Sequence, residues 1–499
     1  MKKRTMSWIL AMLLLAGSFP SCGSAGENAD EPNHSVAGDV AADSAEETEA
    51  ETEPETAYID TLPDTDFEGR VFNMGCPAAY NMEPEELTGE VLNDAVFEQL
   101  LNTEEKFNVD VRRVDVSTAT VQAAVKAGDD SYQIVTSGTS GGAAGYVLTG
   151  FVHNMYKFDA IDFTKPWWNQ HTVEELTLNG KLYMAFGDIF AERGITYNHS
   201  FFFNKVLFDK FDINGIIKDN YNETNIYDLV RSGKWTFDAM LKMIDGIYVD
   251  TNGDGIAGFE DTYGLGQSIP VSGVYRTAFD CEIMTRDAEG WPVLNINTEK
   301  FIDIHSRVFD LCFNNPSVRM GEHAEETLLA KTFVAGQLAL YSGFLCDVNA
   351  LREMEDEFGV IPFPKYDELQ KDYLTTARGD NYFLSIPMNV QDKDFEFVGL
   401  VTESLAYYGN TLVRPAVYDE TLKGKMTRDE DSIEMLDILT KGIIIEYAFA
   451  HANDMSFSYV LWNLLDAEIS DFASYYKKKE KGALKYYERL ITSYKELGN

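Results

Sequence analysis

The feature that most limits how this chain can fold is an alternation of strand and helix patterns between residues 70 and 136. Arg70-Val-Phe-Asn-Met-Gly75 reads as a short buried strand. Leu92, Val96 and Leu100 then recur at helical spacing, with Phe97 and Leu101 beside them. Val109 to Val114 reads as a second strand and Thr120 to Lys126 as a second helix. Tyr132 to Thr136 is a third strand, running into the Gly/Ser-rich stretch 137–145. This order predicts an α/β fold whose sheet is mostly parallel and flanked by helices. In such sheets ligands gather at the loops leaving the strand carboxyl ends. Here those loops are Met74-Gly-Cys-Pro-Ala78 and Ser137-Gly-Thr139-Ser140, so Ser137 and Thr139 are candidate ligand contacts.

Upstream of this pattern no core can form. Lys2, Lys3 and Arg4 precede an apolar run, Trp8 to Ala16, that is too short to span a bilayer. Ser18-Phe-Pro-Ser-Cys22 follows and resembles a bacterial lipoprotein cleavage site. Residues 1–21 are therefore expected to be a signal peptide and Cys22 the lipid-modified first residue; the alternative is ordinary secretion with cleavage nearby. Stable anchoring takes two or more acyl chains, which bacterial lipoproteins are expected to carry. Residues 23–60 hold twelve acidic residues and no Lys or Arg. Like charges and scarce apolar groups keep such a segment open, with a reach of about 35 Å as a flexible coil. The stretch 22–60 reads as a tether, and the folded part as beginning near Phe67.

Composition narrows the function classes. The 499 residues include 82 Asp+Glu against 41 Lys+Arg, a formal charge of −41. That balance argues against nucleic acid, whose phosphates are bound through Lys and Arg, and disfavours lying flat on an anionic membrane. The length suits two large lobes. Of five cysteines, Cys76, Cys281, Cys312 and Cys346 show no CxxC spacing and read as buried free thiols.

Two local motifs carry chemistry. Asp250-Thr-Asn252-Gly-Asp254-Gly255-Ile256 with Asp261 at the twelfth place reads as a calcium loop. Asp250, Asn252 and Asp254 offer side-chain oxygens, Ile256 a carbonyl, and Asp261 two further oxygens, while Gly255 permits the sharp turn. The expected cofactor is a structural Ca2+. Gly138-Thr-Ser140-Gly-Gly142 matches the nucleophile pattern GxSxG, with His451 or His323 as the histidine of a triad. The competing reading is that these glycines let backbone N–H groups approach a ligand. The seven histidines show no metal-binding spacing and no phosphate-binding GxxxxGK[ST] loop is present.

Further stretches carry a family resemblance. They are Gly89-Glu-Val-Leu-Asn-Asp-Ala95, Pro166-Trp-Trp-Asn169, Gly180-Lys-Leu-Tyr183, Phe202-Phe-Asn204-Lys, Ser232-Gly-Lys-Trp-Thr236, Asp250 to Gly264, Phe358 to Lys365, Ser385-Ile-Pro387 and Ala406-Tyr-Tyr408. In this order they resemble the extracellular solute-binding lipoproteins of bacterial ABC importers, of the carbohydrate-binding kind. The resemblance implies a two-lobe periplasmic-binding-protein-like fold closing by a hinge on a solute. Lobe 1 would comprise 61–165 and 340–386, and lobe 2 residues 166–339 and 387–499. It further implies a monomeric binding protein and not an enzyme, lipid-anchored on the outer face of the cell membrane. That protein would deliver a carbohydrate to an ABC permease. The alternative from another class is a surface serine hydrolase using Ser140.

A sugar offers apolar ring faces and a rim of hydroxyls, which aromatic planes and Asp, Asn, Glu or Arg can answer. The expected contacts are Trp167, Trp168 and Asn169 at the first lobe crossing and Phe344 and Asp347 at the second. Glu192 and Arg193 complete the set.

Overall fold

The computed structural model describes residues 57–77, 84, 86–138, 143–379, 381–421, 430–452 and 457–497. The chain divides into two units, Met1–Pro63 and Asp64–Asn499. In the first, a single helical turn spans Tyr58–Thr61, where the Thr61 hydroxyl donates to the Tyr58 carbonyl at 2.6 Å. Cys22 and the rest of the expected leader and tether up to residue 56 lie outside the described residues.

Among the described residues the second unit holds twelve strands. They are β1 (Arg70–Cys76), β2 (Val109–Asp115), β3 (Ile134–Gly138), β4 (His199–Asn204), β5 (Tyr248–Val249), β6 (Thr262–Ser268), β7 (Met284–Arg286), β8 (Pro292–Leu294), β9 (Val318–Gly321), β10 (Leu338–Phe344), β11 (Phe358–Ile361) and β12 (Tyr382–Ser385). One sheet has the order β12-β3-β1-β2, with β1 parallel to both β2 and β3 and β12 antiparallel to β3. This is the parallel sheet the alternation predicts, with helices Val91–Phe107 and Thr118–Ala127 as its crossovers. A second sheet has the order β11-β4-β10-β6-β5, and β9 also pairs with β6. A hairpin of β7 and β8 stands apart.

The helices begin where local chemistry permits. Ser117 caps the helix Thr118–Ala127 by accepting from the Thr120 N–H, and Gly128 ends it in the left-handed region at φ 69°. Thr236 caps Phe237–Ile244 in the same way. That helix turns Phe237, Met240, Met243 and Ile244 inward.

The expected lobe boundaries need correction. Residues 340–386 do not return to the first sheet as one block: β10 lies between β4 and β6, and β11 pairs with β4. The β10 run is buried along nearly its whole length. On the face that Tyr341 presents, Phe202 and Phe333 pack on its ring and Phe358 packs on Phe202. Only β12 rejoins the first sheet. Conversely, residues 166–198 remain beside that sheet, since Ala185 bridges Leu384. The helix Phe395–Tyr408 also packs there, Phe397 lying on Phe67 and Phe72 at 5.0 and 5.7 Å. The chain crosses between sheets where Asn198 bridges Ala377. Among the described residues no helix is long and apolar enough to cross a membrane.

Candidate ligand cleft at the lobe crossing

Because β6, β9 and β10 run parallel, their carboxyl ends at Ser268, Gly321 and Phe344 fall on one side of the second sheet. Antiparallel β4 brings its first residue, His199, to the same side, opposite Phe344. A cavity of about 310 Å³ opens there, against the crossing segment Thr376–Gly379. Ligands are expected at such strand ends.

One wall is aromatic. Phe449, Tyr459 and Trp462 line the cavity, Tyr459 meeting Trp462 edge-on at 5.6 Å and Phe449 at 5.5 Å. Tyr459 and Trp462 are partly exposed. The helix Val460–Asp466 carries Trp462 and can come this close because residue 273 is glycine: a Cβ there would sit 2.9 Å from the Trp462 Cβ. Phe344 faces the cavity from the end of β10, resting on His199 at 4.5 Å beneath the Arg378 guanidinium at 5.0 Å.

The polar groups are held in place from behind. His199 Nδ1 lies 2.7 Å from the Thr376 carbonyl, and burial pushes its pKa down to about 4. It is therefore neutral at pH 7 and donates through Nδ1–H. Arg276, also lining the cavity, is buried and donates to both carboxylate oxygens of Glu446, at 2.9 and 2.5 Å. It also donates to the Cys281 carbonyl at 2.7 Å. Burial alone would lower the Arg276 pKa, but Glu446 overcomes it and the net shift is upward. Glu326 accepts from the Ser268 hydroxyl at 3.0 Å and lies 3.3 Å from His323 Nδ1. Fixed polar groups and an apolar wall are what orient and hold a small ligand.

A larger cavity of about 710 Å³ lies on the other side of the crossing. Asn93, Glu192, Arg193, Tyr197, Cys346 and Arg352 are among its lining residues. Arg193 packs over the Tyr197 ring at 3.8 Å, and Arg352 pairs with Glu420 at 2.8 Å.

Of the expected contacts, Phe344 lines the first cavity and Glu192 and Arg193 the second. The other described ones do not line either. Trp167 and Trp168 are buried at 5% and 1% exposure, and their indole N–H groups donate to the two carboxylate oxygens of Glu403 at 3.0 and 3.1 Å. The backbone turns both side chains inward around one buried acid, which the spacing of neighbours does not forbid. Asn169 caps the helix Gln170–Leu176 and donates to the Ile443 carbonyl. Asp347 accepts from the Tyr341 hydroxyl at 2.8 Å and the Phe344 N–H at 2.9 Å, so it closes a turn. Ser137 is buried in β3 opposite Phe383. Thr139 and Ser140 lie outside the described residues.

His451 is fully buried, with Nδ1 2.9 Å from the Tyr447 carbonyl and Nε2 3.1 Å from the Tyr494 hydroxyl. It serves packing and reaches no cavity named above. His323 is exposed beside Glu326. Trp462, Tyr459, Arg378 and His199 were missed. In sequence, Trp462 has no positional argument that separates a cavity wall from core.

In the 250–261 loop the carboxylates are turned onto backbone amides. Asp250 accepts from Gly253 and Gly255 N–H at 2.7 and 2.9 Å, and Asp254 from Ile256 N–H at 2.7 Å. Asp261 accepts from Thr251 and Gly258 N–H at 3.0 and 2.9 Å. No group of three or more His, Cys, Asp or Glu able to hold a metal occurs among the described residues.

No known family profile matches the chain. No curated protein matches it either. Solved structures do. A sugar transporter from Rhizobium etli in an open conformation aligns with a TM-score of 0.50 at 16% identity, over 84% of this chain and 99% of that one. UspC of M. tuberculosis aligns with a TM-score of 0.51 at 13% identity, over 83% and 99%. At these identities the likeness establishes the fold: two α/β lobes of the periplasmic-binding-protein type.

Proposed function

We propose that this protein is the solute-binding component of an ABC importer, and that it captures a carbohydrate between its lobes and hands it to a permease. The observation that carries this reading is the cavity beside the lobe crossing, with Trp462, Tyr459 and Phe344 on its walls and Arg378, His199 and Glu326 around them. Aromatic faces suit the C–H faces of a sugar ring and the polar groups suit its hydroxyls. A ligand that touches both lobes at once favours the closed form. The fold shared with the Rhizobium sugar transporter supports the same reading. Binding requires no chemical step, and the burial of His451 removes one histidine of the alternative serine triad.

The test is calorimetry of the purified protein against a library of mono- and oligosaccharides. At least one is expected to bind, and Trp462→Ala to weaken it at least tenfold, as for a buried aromatic hot spot. If no saccharide binds, or Trp462→Ala leaves binding unchanged, the reading fails. Product formation that Ser140→Ala abolishes would establish the hydrolase instead.

Two further expectations belong to this proposal. Cys22 carries the lipid that keeps the chain on the outer face of the membrane, and Cys22→Ala would release it into the medium. The 250–261 loop takes Ca2+ only if Asp261 exchanges its amide partners for the ion. Added Ca2+ would then raise the Tm of the wild type and not of Asp250→Asn; equal behaviour of the two rejects the site.

A further inference from the structure

The exposed face of the last helix carries the charge opposite to that of the chain. Helix Phe472–Glu496 holds seven basic residues against three acidic ones, in a protein with 41 against 82. Five of its lysines fall between positions 477 and 485.

Packing fixes which way they point. The buried stripe of the helix is Phe472, Ala483, Tyr487, Leu490 and Tyr494. Phe472 lies on Phe301 at 4.6 Å and Tyr494 on Tyr183 at 5.2 Å. Lys477, Lys478, Lys481, Lys485, Arg489 and Lys495 are exposed on the opposite side. At 3.6 residues per turn they fall within an arc of roughly 120° and along about 27 Å of helix. Leu484 stands at the edge of that arc, 44% exposed. Among the described residues Lys477, Lys478, Lys481 and Lys485 form no ion pair.

We propose that this face docks on an anionic lipid bilayer. A run of four to eight basic residues on an amphipathic helix is the arrangement that attracts acidic headgroups. An acidic protein surface fits less well: six of the seven basic residues are lysine, which protein interfaces deplete while they enrich arginine. Glu488 and Glu496 are exposed in the same arc, so the face carries six positive charges against two negative ones, and its purely basic part is the stretch 477–485. A lipid surface can meet that stretch with headgroups at every position. It also accepts one exposed leucine at the edge of the arc. Because the rest of the chain holds 34 basic residues against 79 acidic ones, this orientation is favoured at such a surface.

The test is co-sedimentation of the full chain carrying Cys22→Ala, which removes any acyl contribution. The probes are vesicles of phosphatidylcholine alone and vesicles with about one third phosphatidylglycerol. Binding is expected only to the second and to weaken as salt rises from about 20 to 150 mM. At about fivefold per lysine, K477E/K478E/K481E/K485E is expected to lower the partition coefficient roughly a hundredfold or more. The reversal of four exposed lysines elsewhere, K210E/K218E/K242E/K331E, is expected to leave most of the binding. Circular dichroism verifies that both variants are folded. Equal binding to the two vesicle types, no binding to either, or equal loss in both variants overturns the proposal. Sugar binding by the same preparation is a separate measurement, so failure here leaves the cleft assignment untouched.

Discussion

Replacing Glu175 by Gln is expected to stabilise the protein at alkaline pH and leave it almost unchanged at acid pH. Glu175 is largely buried on the helix Gln170–Leu176, with Oε2 accepting from the Tyr447 N–H at 3.1 Å. Burial, with Glu446 and Glu282 adding to it and the Tyr447 amide and Arg286 opposing, raises its pKa from 4.5 to about 7. Arg276, which lines the first cavity, already has both oxygens of Glu446 as partners.

A carboxyl whose pKa is raised on folding contributes stability that is present below pH 4.5 and lost as pH rises through 7. A shift of that size corresponds to about 3 kcal/mol at pH 8.5. Glutamine retains the acceptor for Tyr447 and cannot ionise. Urea unfolding at pH 8.5 should therefore show E175Q more stable by about 2–3 kcal/mol, with the gap closing by pH 4. For a body of this size the corresponding gain in Tm is about 3 °C. A gap that is the same at both pH values, or a variant that is less stable at pH 8.5, would refute the assignment.

Three other outcomes are expected. Arg276→Met leaves the Glu446 carboxylate buried without its guanidinium and costs about 3–5 kcal/mol in urea unfolding, most of which Arg276→Met with Glu446→Leu recovers. Burial holds the His451 pKa near 4, so the native state resists the proton that the unfolded chain takes up below pH 6.5. Its contribution is complete above 6.5 and lost as pH falls towards 4, and His451→Gln flattens that part of the stability profile by up to about 3 kcal/mol. Gly409→Ala puts a methyl group onto the Asp188 carbonyl oxygen and costs about 3 kcal/mol, read as a fall in Tm.

Local periodicity and capping were sufficient for the elements of the first sheet. The β1 and β2 patterns appear where the apolar spacing places them; β3 starts two residues later than expected. The fold class follows from that alternation, because helices between strands leave the strands parallel. Thr236 is a cap in sequence and in space for the same local reason.

Partner choice between distant segments is not a local property. Whether Leu338–Phe344 joins the first or the second sheet depends on which neighbours pair and pack with it, and Tyr341 finds Phe202 more than a hundred positions away. The direction of Trp167 and Trp168 depends on Glu403, over two hundred residues later. The cavity wall depends on Gly273 meeting Trp462. The sequence by itself determined which segments of the first sheet are strands and helices, because short-range sterics and burial periodicity suffice for that. Only the tertiary structure decided which aromatic rings are core and which face the ligand, because a ring has the same local pattern in either place.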